Sequence, residues 1–121
     1  MEQKIIEHRK SQRYLLEDFG EITLSDNSEE AFGCYIYNVS VGGIMVYVNH
    51  DFKVGDRFRL VFKVANKSFD KECILRNIRN FTHNQKYILQ IGKSLNVSYR
   101  ANVEFKEPLS SSEIDYINMN H

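Results

Sequence analysis

Arg9 and Arg13 stand four positions apart in the segment His8-Arg9-Lys10-Ser11-Gln12-Arg13-Tyr14, and a second polar group follows in Tyr37-Asn38-Val39-Ser40-Val41-Gly42-Gly43-Ile44. A guanidinium presents a planar fork of N–H donors that meets phosphate oxygens two at a time, and its flat face stacks on rings. Asn38 offers an amide that both donates and accepts, and Ser40 a hydroxyl with both capacities. Gly43, with Gly42 beside it, removes the Cβ, so that backbone can approach a ligand or take up a turn with positive φ. The chemistry these types support is non-covalent recognition of a small anion. Taken singly, each segment also has a plainer reading: a solvated basic arm, and a turn in which Asn and Ser bond their own backbone. Asn38-Val39-Ser40 also fits a glycosylation acceptor, which has no consequence without a secretory signal, and the first ten residues lack the apolar core of one.

Charge sharpens the first segment. Over 121 residues, 16 Lys and Arg balance 16 Asp and Glu, which argues against a broad polyanion surface, so no nucleic-acid partner is expected. The distribution is uneven. Lys4, Arg9, Lys10 and Arg13 face only Glu7 in the basic arm, whereas Glu17, Asp18, Glu21, Asp26, Glu29 and Glu30 follow with no base among them.

The elements that must position these residues read mostly at period two. In Arg57–Val64 the residues Phe58, Leu60, Phe62 and Val64 share one face, with Arg57, Arg59 and Lys63 on the other. Ile44, Val46 and Val48 form another one-sided set, and further strand candidates lie at Cys34–Tyr37, Cys73–Ile78, Tyr87–Ile91 and Asn102–Phe105. Turn signals at Ser25–Ser28, Gly42-Gly43, Val54–Asp56, Ala65–Lys67 and Thr82–Asn84 separate them, so six or seven short strands closing into an antiparallel barrel or sandwich are expected. Near the end, Ser110 reads as a helix N-cap with Glu113 completing a capping box, and Leu109 with Ile114 forms a hydrophobic staple. The short helix that follows needs Ile114 and Ile117 docked on the barrel.

In this order and spacing, Arg9 and Arg13 followed by Asn38, Ser40 and Gly43 resemble the PilZ domain family, whose members carry R-x-x-x-R and then [D/N]-x-S-x-x-G. The apolar Ile44-Met45-Val46 resembles the family's strand after the second motif. The resemblance implies an all-β fold, a six-stranded antiparallel PilZ-like β-barrel with a short C-terminal helix. It assigns residues 1–8 to a mobile N-terminal arm and residues 9–121 to the PilZ-like domain. It implies binding of the bacterial second messenger cyclic di-GMP by Arg9, Arg13, Asn38, Ser40 and Gly43, with His8, Lys10 and Gly42 as auxiliary positions. The arginines would clamp phosphates and guanine, Asn38 and Ser40 would read a guanine edge, and the arm would order on binding. The output would be an unidentified protein partner in motility, exopolysaccharide or biofilm control. One region departs from the pattern: Tyr87–Leu95 and Tyr99–Phe105 both read as strands, so either an extra strand or an insertion is present.

Signatures of other functional classes are absent from the sequence. No G-x-S-x-G, Walker loop or H-E-x-x-H occurs, so no enzyme and no catalytic residue is expected. His8, His50, His83 and His121 match no zinc spacing, so neither metal nor cofactor is expected beyond the ligand. Cys34 and Cys73 read as buried reduced thiols, and no apolar run nears the ~20 residues of a membrane span, so a cytoplasmic protein without membrane insertion is expected. Two alternatives remain: a PilZ-like adaptor that does not bind the nucleotide, and a small barrel binding single-stranded nucleic acid by stacking on Tyr35, Tyr37 or Tyr47.

Overall fold

The computed structural model describes residues 12–24, 31–80, 86–90 and 93–120, with side chains undescribed at residue 24 and over 86–96. Eight strands and one helix lie among them: β1 (Tyr14–Leu24), β2 (Ala31–Val39), β3 (Gly43–Val48), β4 (Arg57–Val64), β5 (Lys67–Asn80), β6 (Lys86–Gln90), β7 (Lys93–Val97), β8 (Tyr99–Phe105) and α1 (Ser111–Asn120). Six strands close a barrel in the order β1-β2-β3-β8-β5-β4, every neighbouring pair antiparallel. Closure gives each of these six strands a neighbour on both sides, which removes the open sheet edge on which another chain could pair.

The alternating patterns fill the interior. Phe58, Leu60, Phe62 and Val64 of β4 are buried, as are Ile44, Val46 and Val48 of β3, with Ile22, Ile36, Leu75 and Val103 completing the core. Phe62 and Phe69 stack nearly parallel at 5.1 Å across the β4–β5 pair. The ambiguity near the end of the chain resolves by neighbour choice. β8 is the last barrel strand, wedged between β3 and β5, whereas β6 and β7 pair only with each other as a separate hairpin. The first of the two strand-like runs, Tyr87–Leu95, is therefore the insertion, lying between β5 and β8.

The helix start follows the capping box. Glu113 N–H donates to Ser110 Oγ at 3.1 Å, and Ser110 N–H donates to Glu113 Oε1 at 2.8 Å. Both bonds satisfy amides that the first turn leaves without intrahelical partners. Ile117 and Leu109 are buried, and Tyr116 packs on Phe69 with ring centres 6.4 Å apart, so α1 is seated on the barrel.

Candidate functional site

The entry to β1 and the end of β2 meet by register. Tyr14 pairs with Val39 and Leu15 with Asn38, which carries the residue before Tyr14 alongside the second motif. Arg13 Nη1 donates to Asn38 Oδ1 at 2.9 Å. The first motif is thereby bonded to the second, 25 residues later in the chain. Asn38 is 7% exposed, and the guanidinium satisfies an acceptor that is largely withdrawn from solvent. A register shift between Ile36 and Asn38 breaks the alternation of β2 there, and Asn38 and Val39 are both buried in succession. Arg9, His8 and Lys10 lie outside the described residues.

Residues 40–43 form the connection from β2 to β3. Ser40 N–H donates to the Gly43 carbonyl at 2.8 Å and Ser40 Oγ donates to the same oxygen at 3.3 Å. Ser40 thus behaves as the plainer turn reading expects, while Asn38 does not, since its acceptor goes to Arg13. Gly43 does not adopt the positive φ that a turn could have demanded; among the described glycines only Gly55 does. Its requirement is steric instead, because a Cβ at Gly43 would collide with the Val103 carbonyl oxygen on β8. Gly42 is different: it is exposed, and a Cβ there meets nothing within 4 Å.

Arg13, Ser40, Gly42 and Gly43 line one open groove of about 210 Å³, with Asn102, Arg76 and Glu104 on its other side. These last three were missed in the sequence, because they come from β5 and β8, far along the chain, and no local pattern marks them. β8 brings Asn102 opposite Met45 and Glu104 opposite Gly43. The Phe105 amide donates to the Gly42 carbonyl and the Leu109 amide to the Val41 carbonyl, each at 2.9 Å. The turn that carries the second motif is therefore tied to the segment leading into α1.

Comparison with known proteins gives the arrangement its family. The PilZ domain profile matches residues 7–110 of the chain. The chain belongs to the PilZ domain family. Among solved structures, the barrel is similar to the PilZ domain of YcgR from Escherichia coli, a structure described as containing c-di-GMP. That similarity has a TM-score of 0.55 at 17% identity, covering 83% of this chain and 75% of that one. No curated protein matches the sequence.

Away from the groove lining, the outer face of this PilZ barrel carries a cross-strand row. Phe19 pairs with Tyr35, Tyr35 with Tyr47, Tyr47 with Arg100 and Arg100 with Arg79. The rings touch edge to face or tilted: Phe19 and Tyr35 at 5.6 Å, Tyr37 and Tyr47 at 6.2 Å, and Tyr35 and Tyr47 at 6.5 Å. All three tyrosines are half-buried against one another, which is sheet packing of the usual cross-strand kind. Burial, followed by the charges of Glu17 and Asp18, raises the Tyr35 phenol above its ordinary value. Inside the barrel, burial pushes the thiols of Cys34 and Cys73 up to about 12, so both are protonated and poor nucleophiles at neutral pH.

Proposed function

We propose that this PilZ domain is a receptor for cyclic di-GMP that acts on a protein partner in the cytoplasm and catalyses no reaction. The observation that carries the reading is the Arg13–Asn38 hydrogen bond, which joins the two motifs at the edge of a groove that Ser40, Gly42 and Gly43 also line. The YcgR domain, similar in fold, was solved with this ligand. In this reading Arg13 and Arg9 supply bidentate contacts to phosphate and guanine, Asn38 and Ser40 read a guanine edge, and the exposed Gly42 lets backbone come close. His8 and Lys10 assist from the arm.

In the same reading residues 1–8 and the first motif fold over the bound dinucleotide, converting ligand concentration into shape. The bonds from Leu109 and Phe105 to the motif turn offer a route from ligand to α1 and hence to a partner.

Calorimetric titration of the purified protein with cyclic di-GMP tests the reading. Binding at micromolar concentration, about −8 kcal/mol, is expected, and Arg9→Ala or Arg13→Ala should each cost roughly 1.5–3 kcal/mol. No binding by the wild-type protein would leave the nucleotide-independent adaptor as the better description, and unchanged binding by both variants would refute the assignment of the site to Arg9 and Arg13. A pull-down with and without cyclic di-GMP identifies the partner.

A further inference from the structure

We infer that Arg76 is a third guanidinium for the anionic ligand of this groove, held by Glu104 in the free protein and transferred to the ligand on binding; this rests on the cyclic di-GMP reading above. Arg76 sits where the register of β5 against β8 shifts, between Leu75 and Asn77, so it has no direct partner on β8. Such a bulge takes a side chain out of the strict in-out alternation and re-aims it. Here the result is that Arg76 lines the same groove as Arg13, Ser40, Gly42 and Gly43, more than thirty residues away in sequence.

The charge arrangement explains why the side chain waits there. Among the described residues Glu104 is the one acid lining the groove, directly across the ladder from Gly43, and a bare carboxylate there would repel a phosphate. Arg76 Nε donates to Glu104 Oε1 and neutralises it. The two side chains are 59% and 50% exposed, so their pairing is weakened by solvent and is easily given up. That bond engages Nε, and the guanidinium has four further N–H donors with which to meet a phosphate fork. Arg76 and Glu104 also line the neighbouring cavity of about 240 Å³, together with Arg57 and Lys106. An extended ligand crossing from groove to cavity would pass over this pair.

Titration of four variants with cyclic di-GMP, each with a thermal melt, tests the assignment. Arg76→Ala should weaken binding about tenfold or more with the melting temperature nearly unchanged, and Arg76→Lys should fall between it and wild type. Glu104→Gln should tighten binding, because it removes both the competitor and the repulsion. The double variant Arg76→Ala/Glu104→Gln should bind at least tenfold more weakly than Glu104→Gln alone. Equal binding by those two would overturn the inference, since Arg76 would then act only by neutralising Glu104. Unchanged binding by Arg76→Ala, where Arg13→Ala loses affinity, would also overturn it while leaving the receptor reading intact. No binding by the wild-type protein overturns both.

Discussion

Replacing Gly43 with alanine should destabilise the barrel by about 1–2 kcal/mol, while Gly42→Ala should leave stability unchanged or slightly raised. The difference is worked from the two positions. At Gly43 the new methyl group would overlap the Val103 carbonyl oxygen, a backbone atom that cannot rotate aside. Ile44 pairs with Val103 and Gly43 with Glu104, so relief requires β3 to move off β8 along a ladder that runs to Val48 and Tyr99. Overpacking of this kind costs roughly 1–3 kcal/mol, and the loss of glycine's freedom in the unfolded chain returns about 0.4–1 kcal/mol. At Gly42 the second contribution stands alone, because a Cβ there meets nothing within 4 Å and its φ is not in the left-handed region. A domain of ordinary stability, about 5–15 kcal/mol, survives either change, so both variants can be purified and compared. Urea unfolding followed by circular dichroism reads the result. With a slope of about 2 kcal/mol per molar, the Gly43→Ala midpoint should fall by roughly 0.5–1 M. A midpoint at or above wild type for Gly43→Ala would refute the steric account. If Gly42→Ala keeps its midpoint but binds cyclic di-GMP more weakly, close backbone approach to the ligand is located at Gly42.

Three further outcomes are expected. Asn38→Ala removes the acceptor that holds Arg13 and should weaken cyclic di-GMP binding about tenfold, whereas Asn38→Asp should retain binding because its carboxylate accepts the same bond; titration of both variants checks this. Ser110→Ala breaks the capping box and should cost about 1 kcal/mol in urea unfolding, with ligand affinity unchanged. Cys34 and Cys73 titrate at about 12 when folded against 9.0 for an exposed thiol. Only the unfolded chain can release these protons as pH first rises past 9, so their contribution is complete below pH 9 and is lost between pH 9 and 12. The fall in urea midpoint over that range should be smaller in Cys34→Ala/Cys73→Ala, and iodoacetamide at pH 8 should label wild type only once it is unfolded.

Local physics made several features legible in the chain itself. The period-two sets of β3 and β4 point at the core as their alternation implies, because a strand's side chains leave opposite faces whatever its neighbours are. The capping box at Ser110 and Glu113 forms for the same reason, since both partners lie within one helical turn. The pairing of two motifs was readable as a resemblance; the Arg13–Asn38 bond joins one residue of each, and Arg9 lies beyond the described residues. Alternation does not say which strand lies beside which. That is why the run at 86–97 could not be told from a barrel strand until β8 was seen between β3 and β5.

Residue types and their short-range spacing determined the strand faces, the helix start and the chemistry of Arg13, Asn38 and Ser40. Only the closed barrel decided that Arg76 and Glu104 enter the same groove and that Gly43 must be glycine for the sake of Val103. Those facts depend on ring closure and on a one-residue shift in the β5–β8 register, where contacts between distant segments, and not local preference, set the geometry.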